Sequence, residues 1–168
     1  MKNVFTVLAL GLTLATNIAL AEKKASGGIG TSIGIHEFKA ANGEYYTTGN
    51  PLLPNLDMEL NIDIAKRVGF KLQGSVGVIA GSGAMGVKGE ITPMVNFKVA
   101  DDVKLGTGAK IISAGLYKQG EYLGTTINKA IYGEVRVAVS NKAEMYIGAS
   151  KNLDDKGYDA KIGYVHGL

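Results

Sequence analysis

Leu56-Asp57-Met58-Glu59-Leu60-Asn61-Ile62-Asp63-Ile64 alternates apolar and polar residues without a break. Successive side chains of a strand point to opposite faces, so this stretch has one apolar face and one acidic, amide-bearing face. A helix would mix the two sets. Working outward, the alternation recurs in segments at roughly 27–38, 70–80, 86–99, 103–113, 128–140, 144–151 and 157–167, which with 55–66 predicts eight strands.

Sorting by parity gives two consistent faces. One carries residues such as Ile33, Ile35, Leu56, Leu60, Leu72, Val95, Leu105, Ile131, Val135, Ile147 and Ile162. The other carries Asp57, Glu59, Lys71, Lys88, Glu90, Lys110, Glu134, Arg136, Asp159 and Lys161, together with small residues such as Gly30, Ser32, Gly106 and Gly148. A soluble barrel would turn the apolar face inward. A membrane barrel would turn it to lipid. Three features favour the membrane. Phe70, Phe97, Tyr164 and Tyr158 fall near strand ends on the apolar face, as interfacial girdles do. The charged face holds both signs in similar number, as a narrow interior requires. Its glycines and serines leave room for long charged side chains, which a water-facing surface does not need.

The connections alternate in length. Segments 39–54 and 115–127 are predicted as the long loops, with Arg67-Val68-Gly69, Asp101-Asp102 and Asn141-Lys142-Ala143 as tight turns. Short turns on one side and longer loops on the other are typical of outer-membrane barrels. Met1 to Ala21 reads as a secretory signal peptide: Lys2, an apolar run from Val4 to Leu14, and Ala19-Leu20-Ala21 as the cleavage site. The expected domains are therefore a signal peptide over 1–21 and a barrel over 22–168. The chain has no cysteine, which excludes a disulfide framework and thiolate metal sites. Its net charge of +3 comes from interspersed acids and bases and gives little support for nucleic-acid binding. The 24 glycines argue against long helices.

These features resemble the small outer-membrane barrels of the OmpX and OmpA transmembrane type. The resemblance covers essentially the whole mature chain and rests on the signal peptide, the eight alternating strands and the lack of a second domain. It implies an all-β, eight-stranded antiparallel up-and-down transmembrane β-barrel in the cell outer membrane. It also implies outer-membrane lipid and the barrel-insertion machinery as partners. One departure is the ending Tyr164-Val165-His166-Gly167-Leu168, with Leu168 where such barrels carry an aromatic.

Candidate chemistry is sparse. Gly81-Ser82-Gly83-Ala84-Met85-Gly86 matches G-x-G-x-x-G, but Val87 to Pro93 alternates like a strand where a dinucleotide site needs a helix. His36 and His166 fall near opposite rims and are not expected to meet. No catalytic residue, metal site or cofactor is expected. The interior charges Glu59, Glu90, Lys110, Glu134, Arg136 and Lys161 are read as a network pairing across the lumen, because eight strands leave an interior just filled by side chains. Tyr45, Tyr46, Tyr117 and Tyr122 in the long loops are the candidate contacts for a surface ligand or host partner. The expected function is that of a non-enzymatic outer-membrane protein serving surface interaction or envelope integrity. The alternatives are a narrow channel or apolar-solute conduit, a lipid-modifying enzyme, and a soluble periplasmic binding barrel.

Overall fold

The computed structural model describes residues 25–39, 43–49, 54–81, 83–154 and 156–168. The predicted signal peptide lies outside the described residues. Nine strands follow one another: β1 (Ala25–Lys39), β2 (Tyr45–Gly49), β3 (Asn55–Ala65), β4 (Val68–Gly81), β5 (Ala84–Lys98), β6 (Val103–Lys118), β7 (Glu121–Ser140), β8 (Ala143–Asn152) and β9 (Tyr158–Gly167). Each pairs antiparallel with its neighbours in the order β2-β1-β3-β4-β5-β6-β7-β8-β9, and β1 pairs again with β9. That last ladder, Gly28↔Gly167 to His36↔Asp159, closes eight strands into a ring. β2 takes the same edge of β1 as β3, further towards the loop end, through Ile35↔Gly49 to Lys39↔Tyr45, and it approaches β4. Closure satisfies both edges of every ring strand over the paired length, the condition for strands to exist in lipid.

The ring is inside-out relative to a water-soluble protein. Its largest fully buried side chains include Arg136, Lys71, Lys110, Gln73 and Glu90. Its exposed side chains include Ile35, Leu56, Val87, Val95, Leu105, Ile111, Ile131, Val135, Ile147 and Ile162. Only a lipid-facing exterior accommodates this arrangement, so the soluble-barrel alternative is discarded. Phe97 and Tyr164 project outward at the turn end, and Tyr158 at the loop end.

Both predicted long loops contain strand. Within 39–54 the chain forms β2. Within 115–127 it forms the extended ends of β6 and β7, and only Gln119 and Gly120 make the turn. Their φ values of 52° and 85° match a two-residue turn with both centres left-handed, the geometry that fits the twist of a hairpin. Gly124, with φ 107°, permits the register shift beside Leu116 and Tyr117. The sequence reading ended these strands early because Gly115, Gly120 and Gly124 punctuate the segment. Here the glycines shape a bulged hairpin instead. The segment from Gly81 to Gly86 is likewise a hairpin: Gly81 ends β4, Gly83 has φ 73°, and Ala84 opens β5.

Candidate functional site in the lumen and at the loop end

Alternation on eight ring strands aims every second side chain into a narrow lumen. There five acids (Asp57, Glu59, Glu90, Glu134, Asp159) meet five bases (Lys71, Lys88, Lys110, Arg136, Lys161), all with side chains almost wholly buried. The charges balance, which is what makes their burial tolerable.

The six predicted network residues fall into two groups of three. Towards the turn end, Arg136 Nη1 lies 2.8 Å from Glu59 and its Nε donates to Glu134 Oε1 at 2.5 Å. Lys71 also bonds Glu134. The half-exposed Lys104–Glu144 pair, at 2.5 Å, borders this group. Towards the loop end, Glu90 Oε2 lies 3.1 Å from Lys110 and 3.5 Å from Lys161. Lys88 donates to the other oxygen of Glu90 at 2.5 Å, and Lys110 bonds Asp159.

Two tyrosines join the groups. Tyr132 donates to Glu134 at 3.0 Å, while the ammonium groups of Lys110 and Lys161 each lie 5.3 Å from its ring centre. Tyr146 donates to Asp57 at 2.6 Å and accepts from Gln73 at 3.2 Å; the Arg136 guanidinium lies 4.7 Å from its ring centre. Glycine makes the space for both rings. A Cβ at Gly148 would lie 2.0 Å from the Tyr132 hydroxyl, and one at Gly163 would lie 2.5 Å from the Tyr146 ring. The sequence reading missed both tyrosines, although Tyr132 shares its parity with Glu134 and Arg136, and Tyr146 shares its parity with Glu144. That parity is the signal that places them inside.

His36 also enters the loop-side group. Its Nδ1 is 3.3 Å from Asp159 and 3.8 Å from Glu90, and donor atoms of all three residues lie within 4.8 Å of one another. Spacing alone would admit a metal ion. The Lys88 ammonium takes that place, 2.5 Å from both His36 Nε2 and Glu90 Oε1, and supplies the positive charge the carboxylates need. His166 is exposed on the outer face at the turn end and does not approach it.

Above the charges the lumen turns apolar. Tyr46 is buried against Ile79, Ala84, Ala114 and Leu116, donates to Glu44 at 2.6 Å and lies beneath the Lys118 ammonium. Of the four tyrosines expected at the surface, Tyr46 is thus withdrawn: β2 turns it into the lumen from its place in the β1–β2 ladder. Tyr45, Tyr117 and Tyr122 are exposed. Tyr117 and Tyr122 pack side by side on the β6–β7 hairpin, ring centres 4.9 Å apart. That hairpin outruns β8, which ends at Asn152 opposite Ala130. Thr126 on it donates to the Lys39 carbonyl at 3.0 Å, tying it to the end of β1. At the turn end the lumen widens into a cavity of about 1030 Å³ lined by residues of both charge signs, including Glu59, Arg67, Lys98, Lys104 and Glu144.

Among solved structures the chain is similar to Ail, the attachment invasion locus protein of Yersinia pestis, with a TM-score of 0.58 and 10% identity over 86% of this chain and 97% of that one. Ail is also solved as an outer membrane protein in a phospholipid bilayer nanodisc, with a TM-score of 0.51. Neisserial surface protein A matches with a TM-score of 0.53 and 14% identity over 84% and 97% of the two chains. The N-terminal β-barrel domain of Pseudomonas aeruginosa OprF matches with a TM-score of 0.50 and 9% identity, again over 84% and 97%. No protein-family model matches the sequence, and no curated protein matches it either. The chain has the fold of the small outer-membrane β-barrels, and its apolar exterior belongs in a bilayer.

Proposed function

We propose that the protein is a non-enzymatic scaffold of the outer membrane that presents its loop end to a surface partner. The observation that carries this reading is the contrast between a filled lumen and an exposed aromatic hairpin. Balanced, mutually bonded charges occupy the middle of the lumen, and Tyr46 packs with apolar side chains above them. The cavity at the turn end is therefore a vestibule rather than a path. Outside, Tyr117 and Tyr122 offer rigid, amphipathic contact area on a hairpin held by Thr126, and Tyr45 adds a third ring. Rings of this kind give contact at little entropic cost. The names of two neighbours, an attachment invasion protein and a surface protein, accord with this reading.

The test is to shorten the β6–β7 hairpin, joining the ladder partners Ala114 and Thr126 through Asn-Gly, and to measure adhesion of expressing cells to host cells and matrix. The shortened protein should still shift in mobility on boiling, and adhesion should fall to background. Adhesion that survives in a folded, shortened barrel would sink the proposal.

A further inference from the structure

On the outer face of the ring, β1, β9 and β8 leave an apolar groove of about 440 Å³. Ile33, Ile35, Ile147 and Ile162 wall it. Its hollow lies over Ala160, whose partner across the β9–β8 ladder is Ala149. Gly34 brings β1 close to β9 here: a Cβ on it would sit 2.6 Å from the Ala160 carbonyl oxygen. One step towards the loop end the outward row changes character. Tyr158 pairs with Lys151, and Lys151 pairs with Ile131, so Lys129 is its diagonal neighbour on β7. Both lysines are exposed. Charged side chains on the lipid face cannot stand in hydrocarbon, so the Tyr158–Lys151–Lys129 row marks the polar boundary of the bilayer. The groove lies directly beneath it, in the acyl layer. Glu37, the one outward acid of that row on β1, is two strands from Lys151, on the far side of Tyr158.

We propose that this groove is a binding site for one anionic, phosphate-bearing acyl lipid, its chain in the hollow over Ala160 and its headgroup between Lys151 and Lys129. The size suits such an occupant, since small-ligand clefts run to about 300–1,000 Å³. Charge complementarity selects it over a neutral lipid or a second copy of the chain, which would bring the same lysines to the interface. The site depends on the membrane placement and not on the adhesive role.

Native mass spectrometry of the whole protein, released from detergent holding equal phosphatidylglycerol and phosphatidylcholine, tests it. The wild type should retain one phosphatidylglycerol in preference. The variant Lys129→Gln/Lys151→Gln should lose that preference by about thirtyfold, because each lysine near an anionic surface contributes roughly fivefold. Ala160→Phe, which fills the hollow from the lipid side, should lower retention of both lipids in a barrel that still shifts on boiling. Equal retention of the two lipids by an inserted wild type overturns the site alone. So does an unchanged preference in the lysine variant, undiminished binding by Ala160→Phe, or a dimer that Ala160→Phe dissolves. A chain that stays aqueous with no heat-modifiable form overturns the site and the membrane placement together.

Discussion

At the scale of single residues, the lumen behaves as two linked clusters whose members are not equivalent. Arg136 alone touches Glu59, Glu134 and Glu144. Removing it leaves buried carboxylates with too few cations, so Arg136→Gln should cost about 3–5 kcal/mol. Lys161 shares Glu90 with Lys88 and Lys110, so Lys161→Gln should be milder. Urea titrations of folding in lipid vesicles would check the order, and equal costs would contradict the two-cluster arrangement. On the outer face, Val135 lies midway between Lys129 and the turn after Ser140, and Val135→Arg should cost about 2–4 kcal/mol in the same titration. A smaller contact can be tested by coupling. Gly148→Ala drives a methyl into the Tyr132 hydroxyl and should cost about 1–3 kcal/mol. Adding Tyr132→Leu should recover part of that loss, with a coupling of about 0.5–3 kcal/mol for residues in contact. Additive losses would mean that the ring and Gly148 do not meet.

At the scale of elements, the β6–β7 hairpin carries the structure's main departure from the sequence reading. A segment of three glycines, two tyrosines and two threonines reads as loop because glycine disfavours extended strand. It is strand because β6 and β7 pair from Val103↔Val137 out to Lys118↔Glu121, with one register shift beside Leu116. The turn depends on backbone geometry at Gln119 and Gly120. Gly120→Ile forces a branched residue into the left-handed region and should loosen the tip by about 1–2 kcal/mol. Gln119→Asn should leave it unchanged or firmer, since asparagine accepts that conformation. Amide hydrogen exchange over 116–126 would distinguish the two. Faster exchange confined to the Ile variant is the expected result, and equal protection in both would argue against the observed turn.

At the scale of the whole molecule, the closed ring, balanced interior and apolar exterior act together. Ring closure pairs both edges of the ring strands over the length of the ladders, charge balance makes a polar lumen stable in the acyl layer, and Tyr46 is buried at the loop end. Purified protein in planar bilayers is expected to give no stable porin-sized conductance. Tyr46→Ala should not open it, because the charge clusters lie beneath that residue. Reproducible large steps from the wild type would overturn the filled lumen. If weak current appears, Glu134→Gln should change it, since Glu134 bonds Lys71, Arg136 and Tyr132 at once.

Much was legible in the chain itself. Period-two alternation in segments such as Leu56–Ile64 determines the strands, their approximate ends and which residues share a face, because side-chain direction on a strand is a local property. Glu59, Glu90, Lys110, Glu134, Arg136 and Lys161 could therefore be assigned to one face without coordinates. Three things were decided only by the tertiary structure. Which face turns inward depends on how the ring closes, since alternation is identical for a soluble and a membrane barrel. Partner choice within the lumen depends on the stagger between strands, which brings Arg136 to Glu59 and His36 to Asp159 across sequence separations that no local pattern encodes. The burial of Tyr46 beside an exposed Tyr45 depends on β2 pairing with β1 above β3, which turns one ring into the lumen and the next outward. A strand's pattern says that neighbouring side chains part company, and only the closed barrel says which of them meets water, lipid or charge.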